Sequence, residues 1–112
     1  MGNRAIIRFP DAALSAECGR PMGVEVYLHW HADDVKAWLK EAAPRMRKGD
    51  GSYAAARFVG LCHEKIKGGL SLGIMPLGTT FDGVIFSVDC TTGKVKVPQG
   101  FGRSFTLKMG ES

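Results

Sequence analysis

The 112-residue chain has no apolar run approaching the ~20 residues that cross a bilayer, which excludes an α-helical membrane protein. Met1–Phe9 carries no long apolar core of the signal-peptide kind. Cysteine is scarce: Cys18, Cys62 and Cys90 are odd in number and irregularly spaced, which argues against a disulfide framework and for a reducing compartment. The expected location is the cytoplasm. Ser15, Ser52, Ser71, Ser87 and Ser104 all lack the Gly-x-Ser-x-Gly setting of a nucleophile elbow. The segment GLCHEKIKGG has neither the preceding strand nor the Lys-Ser/Thr ending of a phosphate loop. There is no internal repeat, low-complexity tract or domain boundary, so residues 1–112 read as a single domain. A chain of this length buries roughly two-thirds of its unfolded surface.

What is present is strong patterning. Arg4–Phe9 alternates, with Ala5, Ile7 and Phe9 on one face and Arg4, Ile6 and Arg8 on the other. Pro10–Cys18 reads as a short helical excursion, with Gly19 suited to the left-handed residue that ends a helix. In Gly23–Trp30, Val24, Val26, Leu28 and Trp30 alternate with polar or amphipathic residues, the period of a half-buried strand. Asp33 or Asp34 is placed to cap a helix ending at Ala43, with Val35, Trp38, Leu39 and Ala42 on one side. Pro44 ends it. After the polar connector RMRKGDG, Ser52–Lys67 repeats Ala55, Phe58, Val59, Cys62 and Ile66 at helical spacing.

The last third is β-like. Leu70–Ile74 is a strand, and MPLGTTFDG a loop. Val84–Cys90 and Lys94–Val97 form a hairpin around Thr91-Thr92-Gly93. Arg103–Lys108 offers a final strand. The expected fold is α+β: a largely antiparallel sheet with two helices packed on one face, in the order β-β-α-α-β-β-β. Its core should include Trp30, Trp38, Leu39, Phe58, Val59, Phe86 and Val88.

His29, His31, Cys62 and His63, with Asp33 and Asp34 nearby, are the metal-ligand types available. A zinc site needs three or four of them to converge, and nothing in their spacing makes them meet. Strand histidines on a solvated face and a buried, inert thiol explain them more simply, so no metal and no cofactor are expected. Cys18 lies beside Gly19 and Pro21, but exposure alone does not activate a thiol. No carboxylate pair stands out either, so no catalytic residue is assigned.

Two basic constellations remain in a chain of formal net charge +4. One is Arg45, Arg47 and Lys48 on the connector, with Lys36 and Lys40 one turn apart on the helix before it. Cations near a helix C-terminus complement its dipole, which accounts for one or two of these five. The turn Gly49-Asp50-Gly51 and Pro44 force the cluster outward, and it is assigned as the partner-binding site. The other is the outward sheet face of Arg4, Arg8, Tyr27, His29, His31, Lys94 and Lys96. Its composition suits a single-strand platform, yet it has no RNA-recognition-motif signature. A solvated polar face explains it as well, and so does a homodimer surface.

The blocks MGNRAIIRF, GVEVYLHW, ARFVGLC, GGLSLGI and DGVIFSVD, in this order, resemble a family of small phage and mobile-element proteins. Those proteins share an MGNRA start, a GVYLHW-like strand, a helix pair and a Gly-rich GGLS-like strand. This chain departs from them by its Pro10–Pro21 segment and its tail FGRSFTLKMGES. The resemblance covers about half the chain, contains no catalytic motif, and implies mobile-element origin. It points to a non-enzymatic accessory protein that binds and inhibits host machinery, as anti-CRISPR proteins do. The expected partner is a host protein or nucleoprotein in the host cytoplasm. A small nucleic-acid-binding protein is the alternative, and a metal-dependent enzyme using His29, His31 and His63 is a weaker one.

Overall fold

The computed structural model describes residues 3–79 and 82–110. Met1 and Gly2 of the MGNRA start, Thr80 and Phe81 of the expected loop, and Glu111 and Ser112 of the tail lie outside the described residues.

Strands β1 (Ala5–Pro10) and β2 (Gly23–Leu28) pair antiparallel, setting Ile7 opposite Val26 and Arg8 opposite Glu25. Between them runs α1 (Ala12–Cys18), capped by the Asp11 carboxylate at Leu14 N–H and ended by Gly19 at φ 71°. Helices α2 (Val35–Ala42) and α3 (Gly51–Lys65) follow, then β3 (Leu72–Pro76), β4 (Val84–Val88), β5 (Lys94–Lys96) and β6 (Phe105–Thr106). The six strands form one sheet in the order β3-β2-β1-β4-β5-β6.

The fold is α+β, and it corrects the expected arrangement in element order and in sheet type: among the described residues the order is β-α-β-α-α-β-β-β-β, with six strands where the expected order has five. The sheet is mixed, because β4 pairs parallel with β1 at its centre while the other four pairings are antiparallel. The chain passes through α2, α3 and the edge strand β3 before β4 returns beside β1, and that crossover sets the parallel direction. Among the described residues the short helical excursion expected at Pro10–Cys18 is a helix in its own right, α1, which makes three α-helices where the expected order counted two. The third, α1, buries none of its residues, so its apolar side chains contribute nothing to the core.

The buried faces of α2 and α3 join one core with the strand residues that alternate toward them. Val35, Trp38, Leu39 and Ala42 of α2 are buried, as their spacing predicts. The buried stripe of α3 includes Ala54, Ala55, Phe58, Leu61 and Cys62, while Val59 is only half-buried. Phe58 meets Phe9 of β1 with ring centroids 5.9 Å apart. Phe86, Val88 and Val95 are buried in the expected hairpin.

Trp30 departs from the expected core and is 50% exposed. Strand β2 stops at Leu28, and the chain bends before His31, which sits at φ 81°. The alternation that would carry Trp30 inward no longer applies there. His31 leaves the outward face for the same reason: its ring lies 5.3 Å from that of Trp38 on α2. Neither Asp33 nor Asp34 makes a side-chain cap; they accept instead from Asn3 at 3.0 Å and pair with His31 at 3.1 Å. The outward sheet face is also not wholly solvated, since Ile6 and Glu25 are fully buried within it.

Candidate functional site

The connector between α2 and α3 is fixed at the backbone before any side chain is considered. Met46 is buried, Gly49 N–H donates to the Cys90 carbonyl at 2.9 Å, and Arg47 forms a parallel bridge with Gly110. Two carboxylates then hold the start of α3. Asp50 accepts from Tyr53 N–H at 3.0 Å, and Asp11 accepts from Ser52 N–H at 3.2 Å. Asp11 thus caps α1 and α3 together. Burial pushes its pKa up, but the N–H groups of Leu14 and Ser52 outweigh that and hold it below the ordinary aspartate value.

On this frame the five predicted cations fall into three settings. Lys36 and Lys40 lie over the Phe105 ring, at 5.3 and 5.2 Å from its centroid. Arg45 makes a two-pronged bond to Glu64 at 2.8 and 3.3 Å, and a second tie between the helices joins Lys65 to Glu41 at 2.7 Å. These three cations have structural tasks. Arg47 stacks over Tyr53, 4.1 Å from the ring centroid, and Lys48 is exposed beside it. Neither has a carboxylate partner among the described residues.

Two residues of the site do not stand out in the sequence: Tyr53 and Arg57. Arg57 sits one turn after Tyr53 on α3, 4.8 Å from the same ring, and donates from Nη2 to the phenol oxygen at 2.6 Å. That bond, with the Arg57 and Arg47 charges, holds the Tyr53 pKa below its ordinary value against the opposing effect of burial. The i,i+4 spacing of Tyr53 and Arg57 was the available signal. Two guanidinium groups therefore flank one aromatic ring, with a lysine adjacent, on a pinned backbone.

A crevice of about 580 Å³ opens at the C-terminal ends of β1 and β4, bordered by Pro10, Gly49, Asp89, Lys94 and Lys96. A neighbouring one of about 470 Å³ is bordered by Leu14, Arg47, Lys48, Asp50 and Ser52, and the two meet at Gly49. The sheet-face lysines and the connector cations thus border one continuous concave end of the molecule. The carboxylates there are already engaged, Asp89 by the N–H groups of Thr91 and Thr92. The buried Cys90 thiol is pushed up to about 12 by burial, and by Asp11, Asp89 and Asp50. Burial pushes Cys62 to about 12 as well. Neither is a thiolate at neutral pH.

The histidines do not converge. His29 lies 3.2 Å from the Tyr27 hydroxyl, His31 pairs with Asp34, and His63 is exposed on α3. Among the described residues no three of His, Cys, Asp or Glu gather into a metal-ligand set. No helix among the described residues is long and apolar enough to cross a membrane. The chain matches no known protein family, no curated protein and no solved structure.

Proposed function

We propose that this chain is a non-enzymatic binding protein that docks Tyr53, Arg47, Arg57 and Lys48 onto an acidic surface of a macromolecular partner. The observation that carries this reading is the pair of guanidinium groups around Tyr53, which have no carboxylate partner among the described residues. Tyrosine and arginine are the residues that most often dominate interface energetics, because they offer large contact area with several hydrogen bonds. The fixed connector lowers the ordering cost of binding, since its backbone is already set.

The resemblance to phage and mobile-element proteins supplies the partner class. On that reading the chain is an accessory factor of the anti-CRISPR kind that occupies a host protein or nucleoprotein, a CRISPR nucleoprotein being one such target, and inhibits it stoichiometrically in the host cytoplasm.

The arginine-flanked ring also favours a second reading, a nucleic-acid site in which a base stacks at Tyr53 and the cations meet phosphates. Affinity capture from nuclease-treated extract of the cells that encode the chain separates the two. A protein retained after nuclease treatment supports inhibition. Binding that disappears with the nucleic acid, and weakens steeply with salt as counterions are released, supports the second reading.

A further inference from the structure

Strands β1 and β4 are the parallel pair at the centre of the sheet, and the chain leaves their C-terminal ends in opposite directions. From Pro10 it passes through α1 to β2 on one side. From Val88 it turns through Thr91-Thr92-Gly93 to β5 on the other. Connections that part in this way leave a crevice between them, and in open sheets with parallel strands that crevice is where ligands bind. The crevice of about 580 Å³ lies there, within the ~300–1,000 Å³ that small-molecule ligands occupy. Its β4–β5 wall is pinned: Gly93 N–H donates to the Asp89 carbonyl at 2.7 Å, and Asp89 N–H to the Lys94 carbonyl at 2.8 Å.

The polar groups of this crevice are of two kinds. Lys94 and Lys96 both border it, two positions apart on β5 and so about 7 Å apart at Cα. Their neighbours across the ladders are Thr106 and Ser87, so neither adjoining strand sets a carboxylate opposite them. Neither lysine has an ion-pair partner among the described residues. Asp89 faces the same space. Its Oδ1 accepts from the N–H groups of Thr91 and Thr92 at 2.9 and 3.3 Å, which leaves Oδ2 as a free acceptor. The Ser87 hydroxyl also borders the crevice, and Pro10 and Ala12 give it an apolar wall.

We propose that this crevice binds a small phosphate monoester that carries hydroxyl groups, a sugar phosphate or a nucleotide. A phosphate monoester carries about −1.5 to −2 charges at neutral pH, which matches two adjacent ammonium groups where a carboxylate matches one. A bare anion would meet Asp89 Oδ2 as a like charge. A ligand with hydroxyls instead donates to that oxygen, since an ionised carboxylate only accepts. The two lysines therefore seat the phosphate, Asp89 and Ser87 read the hydroxyls, and the carbon skeleton lies against Pro10 and Ala12. This site is separate from Tyr53 and does not depend on docking there.

Titration of the full chain with ribose 5-phosphate, adenosine monophosphate and inorganic phosphate, followed by NMR chemical shifts, tests the assignment. Ribose 5-phosphate should bind saturably, about tenfold more tightly than inorganic phosphate, and should move the amides of Ser87, Asp89 and Lys94. Lys94→Ala/Lys96→Ala should weaken it about tenfold with an unchanged circular dichroism spectrum. Arg4→Ala/Lys67→Ala removes as much charge elsewhere and should stay within about twofold of the parent. Asp89→Asn keeps an oxygen for the turn but loses the carboxylate, and should erase the preference over inorganic phosphate. Adenosine monophosphate binding at least as tightly as ribose 5-phosphate identifies a nucleotide as the source, and weaker binding identifies a sugar phosphate. Four results overturn the site: no saturable binding of either ester in the millimolar range, inorganic phosphate binding as tightly as the esters, equal losses in the two double variants, or an Asp89→Asn variant that keeps the preference.

Discussion

Arg8 and Glu25 face each other across the β1–β2 ladder, and Nε of Arg8 donates to Oε2 of Glu25 at 2.9 Å. The same carboxylate oxygen accepts from Gly78 N–H at 2.9 Å, fastening the segment after β3 to the sheet. The side chain of Glu25 is wholly buried, whereas that of Arg8 is 35% exposed. Its second oxygen, Oε1, has no hydrogen-bond partner among the described residues.

That inequality predicts an asymmetric response to mutation. Arg8→Met strands a buried charge and should cost about 2 kcal/mol, less than the roughly 3–5 kcal/mol of a wholly buried pair. Glu25→Gln leaves Arg8 free to turn into water and should cost only about 1 kcal/mol. Urea denaturation of both variants checks the order, and equal losses would mean that Glu25 does not depend on Arg8.

The two tryptophans should separate cleanly. Trp38→Ala removes a buried aromatic and should destabilise by about 3–5 kcal/mol. Trp30→Ala, at the half-exposed position, should stay within about 0.5 kcal/mol of the parent. Comparable losses in thermal denaturation would place Trp30 back in the core.

Asp11 predicts a pH dependence. Its folded pKa is depressed, so the stability it contributes is present above the unfolded value and is lost as pH falls through the folded one. The window lies below about pH 4, the ordinary aspartate range. Asp11→Asn should be less stable at pH 6 but should lose less on acidification to pH 3. A variant with the parent's full acid loss would show that the two helix caps do not depend on the charge.

Thiol reactivity offers a further check on the core. Cys18 is exposed while Cys62 and Cys90 are buried. A thiol reagent should label one cysteine in the native chain and all three after denaturation. Rapid labelling of Cys90 in the native state would mean that the β4–β5 end opens readily.

Much of this fold is written in local periodicity. The alternation of Ala5, Ile7 and Phe9, the helical stripe of Val35, Trp38, Leu39 and Ala42, and the hairpin around Gly93 each depend on neighbours in sequence. What was illegible depends on distant partners. The parallel pairing of β1 and β4 is set by a crossover through α2, α3 and β3. The burial of Glu25 requires Gly78, 53 positions away. The site was half legible: Arg47 and Lys48 stand out as cations, but Arg45 is engaged by Glu64, 19 positions on, and Tyr53 joins only once Arg47 folds over its ring.

The most direct measurement is affinity capture with charge-reversed baits. The parent chain, an Arg47→Glu/Lys48→Glu/Arg57→Glu variant and a Lys94→Glu/Lys96→Glu variant should all fold to the same circular dichroism spectrum. The account predicts that a partner retained by the parent binds the connector variant about tenfold or more weakly, while the sheet-face variant holds it nearly as well. Undiminished capture by the connector variant, or loss confined to the Lys94 and Lys96 variant, would contradict docking at Tyr53.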